Sequence, residues 1–121
     1  MIYHITKRDD WEQAQQNGAY TAASLDSEGF IHCSTREQII KVANAFYRGQ
    51  GNLLILCIDA AQLTSELKWE APAHPNPDHA PDTHTAEQFP HVYGTIGLQA
   101  VVNVIDFPEG ADGFTLPHAL P

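Results

Sequence analysis

Positive charge is scarce in this chain. Six Lys plus Arg stand against fifteen Asp plus Glu, a formal net charge of −9 over 121 residues. Non-specific nucleic-acid binding needs many cations to neutralise phosphates, so the balance argues against DNA as a partner. It still allows a small phosphorylated ligand held by backbone amides. Cysteine is equally sparse. Cys33 and Cys57 each sit inside an apolar run, which reads as two reduced, buried thiols of a cytoplasmic protein rather than a disulfide. No apolar run approaches the ~20 residues of a membrane-spanning helix, so no membrane is expected as a partner. Met1-Ile2-Tyr3-His4 leads straight into a strand pattern without a signal peptide. P-loop, Rossmann glycine pattern, CxxC pair, HExxH and GxSxG elbow are all absent, which removes the chemistries they mark. The length suits one domain, residues 1–121.

What is present is a series of short strand signals with two helices between them. Ile2–Thr6 alternates as a strand. Asp9 or Asp10 can cap a helix from about Trp11 to Asn17, with Gly18 as its stop. Residues 20–25 read as irregular or short extended chain, 26–29 as a turn, and Phe30–Cys33 as a central strand. Ser34-Thr35-Arg36-Glu37 reads as a capping box that opens a helix running to about Arg48. Leu53–Ile58 is continuously apolar, a strand buried on both faces. Ala61–Leu63 reads as one helical turn, Leu67–Glu70 as a short strand, and Phe89–Gly94 as a turn and short strand. Leu98–Phe107 is rich in β-branched residues, and Phe114–Leu116 can add an edge strand. Residues 71–88 form a Pro/His-rich loop insertion. The expected class is α+β: a single domain with a small split antiparallel or mixed β core and two main helices.

The stretch Gly29-Phe30-Ile31-His32-Cys33-Ser34 joins strand patterning to reactive groups. On a strand Phe30, His32 and Ser34 share one face, and Ile31 and Cys33 the other. His32 and Ser34 then lie about 7 Å apart, with Phe30 as an aromatic wall. Ser34 is expected to serve as helix cap rather than nucleophile, since no base is written beside it. His4 and His32 each sit on a short strand, His91 follows Pro90, and Gly94 permits close backbone approach. Glu70 closes a strand where its carboxylate can act as base or bind a sugar hydroxyl. Tyr93 can stack on a ligand. The loop histidines His74, His79 and His84 lie among Asp78 and Asp82. Their spacing matches no metal-ligand signature, although imidazole and carboxylate suit zinc or nickel. No resident metal is expected.

Taken together, Tyr3-His4, Gly29 through Ser34, Gln38 with Ala43–Tyr47, Ile58-Asp59, Glu70 and Phe89-Pro90-His91-Val92-Tyr93-Gly94 resemble the domain-of-unknown-function 952 family of small, mostly bacterial proteins. The resemblance covers nearly the whole chain. The departure is the long His/Pro stretch between Glu70 and Phe89, where a shorter connection is expected. The resemblance implies an ADP-ribosyltransferase-like fold, whose members hold NAD or an ADP-ribose-like nucleotide in a cleft between two sheets. It implies that His4 contacts the ribose, that His32 and Ser34 line the floor, and that Glu70 favours the oxocarbenium-like transition state. His91, Tyr93 and Gly94 would form the wall, Gly29 and Phe30 would contact the ligand, and Arg36 is the nearest cation. His4, His32, Glu70 and His91 are thus the catalytic candidates. The expected activity is transfer or hydrolysis of an ADP-ribosyl group, with NAD as substrate and no cofactor required. One alternative is a non-catalytic small-ligand or protein-binding module with a degenerate site. Another is a metal-dependent hydrolase using His32, His91 and the loop histidines.

Overall fold

The computed structural model describes residues 1–72 and 87–121. The chain runs through β1 (Ile2–Lys7), α1 (Arg8–Asn17), β2 (Ala19–Tyr20), α2 (Ala23–Glu28), β3 (Ile31–His32) and α3 (Ile39–Phe46). It continues with β4 (Leu53–Ile58), β5 (Glu66–Glu70), β6 (Phe89–Tyr93), β7 (Ile96–Gly97) and β8 (Val101–Asp106). Single 3₁₀ turns occupy Ala60–Gln62 and Leu98–Ala100. The protein is an α+β chain in which the described strand pairs are antiparallel.

Every residue of β4 is buried, as its unbroken apolar run requires. It is the middle strand of the sheet β1-β4-β8. Alternation sends its side chains into two cores. Leu53, Ile55 and Cys57 join Tyr3, Ile5, Ile39, Ala43, Phe107 and Phe114 on one side. Leu56 and Ile58 join Ile2, Ala14, Tyr20, Ile31, Cys33 and Val92 on the other. That second core is closed by another sheet, β3-β6-β5, while β2 pairs with β7. An isolated bridge between Tyr3 and Ser34 joins the two three-stranded sheets: Tyr3 N–H donates to Ser34 O at 2.8 Å and Ser34 N–H to Tyr3 O at 2.7 Å.

Several local expectations are overturned. Helix α1 begins at Arg8 without a side-chain cap, so neither Asp9 nor Asp10 serves as one. Gly18 does end it, in the left-handed region at φ 86°. The irregular stretch before Gly29 contains α2, which makes three helices among the described residues rather than two. Ser34 caps no helix: its backbone is bridged to Tyr3, and α3 starts only at Ile39 with Gln38 at the N-cap position. The box shifts by one residue: the Gln38 side chain accepts from Thr35 N–H at 2.9 Å, and regular helix starts only at Ile39. Phe114–Leu116 pairs with no strand among the described residues. Asn44 of α3 holds this segment instead, accepting from Phe114 N–H at 2.8 Å and donating to its carbonyl at 3.3 Å. A side chain on Gly113 would run into Asn44 Oδ1 at 2.7 Å. Of the 71–88 insertion, residues 73–86 lie outside the described residues.

The Asn44 clamp seats Phe114 against Phe107, ring centroids 4.7 Å apart, in the first core. Removing it leaves the Phe114 backbone groups without these partners. Asn44→Ala should lower the unfolding free energy by about 1–3 kcal/mol, read from denaturant melts. A loss below a few tenths would show that the apolar contacts alone hold the tail.

Candidate functional site

The sheet β3-β6-β5 has two unlike faces, and its register says which residues share each. Ile31 pairs with Val92 and His32 with His91. Across the other edge of β6, Leu67 pairs with Val92, Lys68 with His91, Glu66 with Tyr93 and Glu70 with Phe89. Directly opposed residues point the same way. Ile31, Val92 and Leu67 therefore turn into the second core. His32, His91, Lys68, Tyr93 and Glu70 gather on the outer face, with Phe30 beside them. The alternation Phe30/His32 against Ile31/Cys33 holds as the sequence implied, and Ile31 and Cys33 are both buried.

Glu70 organises this face. Its Oε1 accepts from His91 Nδ1–H at 2.9 Å and from the Tyr93 hydroxyl at 2.5 Å. These two hydrogen bonds, Tyr93 first, hold the Glu70 carboxyl below its ordinary range. The same bond raises Tyr93, whose proton is committed to the carboxylate. An ionised carboxylate only accepts, so His91 carries a proton on Nδ1, and a neutral ring with that tautomer presents Nε2 as a lone pair. No described residue hydrogen-bonds Nε2. Since no buried polar side-chain atom lacks a partner among the described residues, Nε2 reaches the surface although the side chain is only 3% exposed. Glu70 Oε2 likewise receives no hydrogen bond from the described residues, and its side chain is 37% exposed.

Phe30 lies flat on His91, centroids 4.1 Å apart and planes at 17°. It meets His32 edge-on at 4.8 Å and Tyr93 at 5.3 Å. The His32 and His91 rings are 5.6 Å apart at 73°. His32 Nε2 donates to Glu28 Oε2 at 2.8 Å. Lys68 Nζ sits 4.6 Å from the centre of the Tyr93 ring, a cation–π contact. The face thus offers one imidazole base, one imidazole paired with a carboxylate, a fixed carboxylate and an aromatic surface.

Other expected site residues lie elsewhere. His4 is buried between the sheets. Its Nδ1–H donates to His32 O at 2.5 Å, and its Nε2 lies 2.7 Å from the Tyr20 hydroxyl, itself 2.9 Å from Thr6 Oγ1. Burial pushes His4 down to about 4, against the backbone hydrogen bond that favours its charged form. With Nδ1 protonated and the ring neutral, Nε2 accepts from Tyr20, and the Thr6 hydroxyl can supply a proton to Tyr20. Ser34 is buried in the Tyr3 bridge. Arg36 is exposed on the turn before α3 and forms no hydrogen bond or ion pair among the described residues. The clearance at Gly94 is taken by Ser65, whose Oγ would lie 2.4 Å from an added Cβ. Gly29 works through its backbone, ending α2 at φ 90° and turning the chain into β3. Among the described residues no three His, Cys, Asp or Glu side chains converge to hold a metal ion. His74, His79 and His84 lie outside them. A cavity of about 220 Å³ beside Lys7, Arg8 and Asn52 contains none of these side chains.

Sequence reasoning missed Glu28, Lys68, Tyr20 and Gln38. Glu28 was concealed because residues 26–29 read as a plain turn. Gln38 is buried and donates to Gln88 O at 2.8 Å, tying α3 to the entry of β6.

The fold and this face define a small antiparallel α+β protein with histidine and carboxylate side chains gathered on the outer face of one sheet. The family model "Protein of unknown function (DUF952)" matches residues 5–104. The chain is also similar to CC0527 from Caulobacter crescentus. The crystal structure of that protein is 33% identical, with 93% of this chain and 90% of that chain covered at a TM-score of 0.77. Its solution NMR structure is 33% identical, covering 93% and 89% at a TM-score of 0.72. No curated protein matches the chain. The chain belongs to the DUF952 family. No helix among the described residues is long and apolar enough to cross a membrane.

The buried, neutral state of His4 makes folding pH-dependent. The unfolded ring takes up a proton near 6.5, the folded ring only near 4, so protonation in that window favours unfolding. The contribution is complete above about pH 6.5 and lost as pH falls towards 4, a change of about 3 kcal/mol. Unfolding free energy of the wild type minus that of His4→Gln, followed from pH 7 to 4, should fall by this order. A difference that stays flat would contradict a neutral His4.

Proposed function

We propose that this chain binds a ribosylated nucleotide such as NAD or ADP-ribose on the outer face of β3-β6-β5, and transfers or hydrolyses its ADP-ribosyl group. The observation that carries the reading is the Glu70 carboxylate. Two donors fix Oε1, while Oε2 receives no hydrogen bond from the described residues. A carboxylate held this way is pre-organised to stabilise positive charge developing at a ribose C1′. His91 Nε2, its ring oriented through Nδ1 by Glu70, is the base that takes a proton from the attacking water or hydroxyl. Phe30 and Tyr93 supply the aromatic surface for a planar ring.

His4 takes a different part from a ribose contact. It holds the carbonyl of His32 and so fixes the strand that carries Phe30 and His32. Lys68 is the cation on this face, and the net charge of −9 gives a diphosphate no long-range attraction. Affinity therefore rests on close contacts. The proposal places the fold in the ADP-ribosyltransferase-like group, by the division of its core into two sheets. A non-catalytic binding module is favoured by one observation: Glu70 Oε1 is already satisfied by its own protein.

Ligand-observed NMR against NAD, ADP-ribose, nicotinamide and a 2′-phosphorylated dinucleotide separates the readings. NAD or ADP-ribose should bind selectively, and turnover should fall by at least ~10²-fold in Glu70→Gln. Binding without turnover, unchanged in Glu70→Gln, would identify the binding module. Silence across the panel at millimolar ligand would overturn the nucleotide reading.

A further inference from the structure

Of the chain's six Lys and Arg, Lys68 alone stands on a strand of the sheet β3-β6-β5. It lies directly opposite His91, so its side chain leaves the sheet on the same side. Arg8, Lys41 and Arg48 are engaged on other elements, with Asp106, Glu87 and Glu109. Lys7 ends β1, and Arg36 lies on the turn before α3.

Two contacts hold the Lys68 ammonium. Nζ sits 4.6 Å from the centre of the Tyr93 ring, and Tyr93 is itself fixed by its hydrogen bond to Glu70 Oε1. The second partner is Glu66, whose Oε1 is 3.7 Å away, beyond a hydrogen bond. The Lys68 and Glu66 side chains are 47% and 67% exposed, and an exposed pair of this kind is worth little. An incoming anion can therefore displace the Glu66 oxygen while the ring contact stays in place.

Strand geometry sets where such an anion lies. Glu66, Lys68 and Glu70 are successive residues on one face of β5. Lys68 and Glu70 thus stand about 7 Å apart along the strand, and Tyr93 touches both. A ribose carries its anomeric carbon and its 5′-phosphate at opposite ends of a similar span. With C1′ at the Glu70 carboxylate, the 5′-phosphate of the same ribose falls at Lys68.

We propose that Lys68 is the specificity-determining residue of this face: it binds the 5′-phosphate of the reacting ribose, and the substrate class is 5′-phosphorylated ribosides. This rests on the ribosyl reading above. A mononucleotide is then the smallest substrate, and the second nucleotide of a dinucleotide is not required for recognition. The contact also offsets the repulsion that a chain of net charge −9 exerts on a phosphate.

The test measures dissociation constants by ligand-observed NMR for nicotinamide mononucleotide, nicotinamide riboside and ADP-ribose, in wild type, Lys68→Met, Lys68→Arg and Glu66→Gln. Wild type should bind the mononucleotide at least ~10-fold tighter than the riboside, a preference that shrinks as salt rises. Lys68→Met should weaken the mononucleotide and ADP-ribose ~10-fold and leave the riboside unchanged. Lys68→Arg should restore the preference, and Glu66→Gln, which removes the competing carboxylate, should tighten the mononucleotide. Wild type that binds ADP-ribose but holds the mononucleotide no tighter than the riboside overturns the phosphate assignment and leaves the nucleotide site standing. Lys68→Met that weakens all three ligands equally, as a structural role through Tyr93 would, or weakens none, does the same. Absence of ADP-ribose binding in wild type overturns the reading beneath it.

Discussion

A neutral imidazole buried between two sheets governs the rest of this structure. His4 commits one nitrogen to the carbonyl of His32 and the other to Tyr20. Beside it, the Tyr3–Ser34 bridge exchanges two backbone hydrogen bonds. Together they set the sheet β3-β6-β5 against β1-β4-β8 at a fixed height. A charged or unpartnered ring at this depth would cost several kcal/mol, so the joint forms only when both nitrogens are satisfied. The consequence is that β3, two residues long, presents a precise outer surface. A strand that short gains little from its own ladder.

The outer sheet then divides its residues by parity. Ile31, Val92 and Leu67 complete the core, and every second residue is left for the polar face. Glu70 reaches across from β5 to two residues of β6, which are two apart and therefore on the same side. Phe30 covers His91 and shields the Glu70–His91 hydrogen bond from water on that flank. The chemistry proposed for this face uses that parity, which brings these groups to one side of the sheet.

The sequence was most legible where the period of two decides. The opposed faces of Phe30–Cys33 and the buried run Leu53–Ile58 could both be read from alternation or its absence. It was least legible where a distant backbone competes for the same group. Ser34 looks like a helix cap, but the distant Tyr3 backbone draws it into a bridge between sheets, and α3 starts later, at Ile39, after the Gln38 side chain has accepted from Thr35 N–H. The family resemblance makes His4 a ligand contact, and alternation gives its face but not what covers that face. The pairing of Glu28 with His32 depends on the left-handed turn at Gly29, which converts a residue of an apparent loop into a helix end. The tail at Phe114 carries strand-like residues without a strand partner, and a side chain on α3 takes over the hydrogen bonds.

Shift mapping on isotope-labelled protein titrated with ADP-ribose tests the division between a structural inner face and a chemical outer face. The account predicts perturbations at Phe30, His32, Glu70, His91 and Tyr93, while the His4 ring keeps its Nδ1–H tautomer throughout. Perturbations centred instead on Lys7, Arg8 and Asn52, or direct ligand contact with His4, would contradict it.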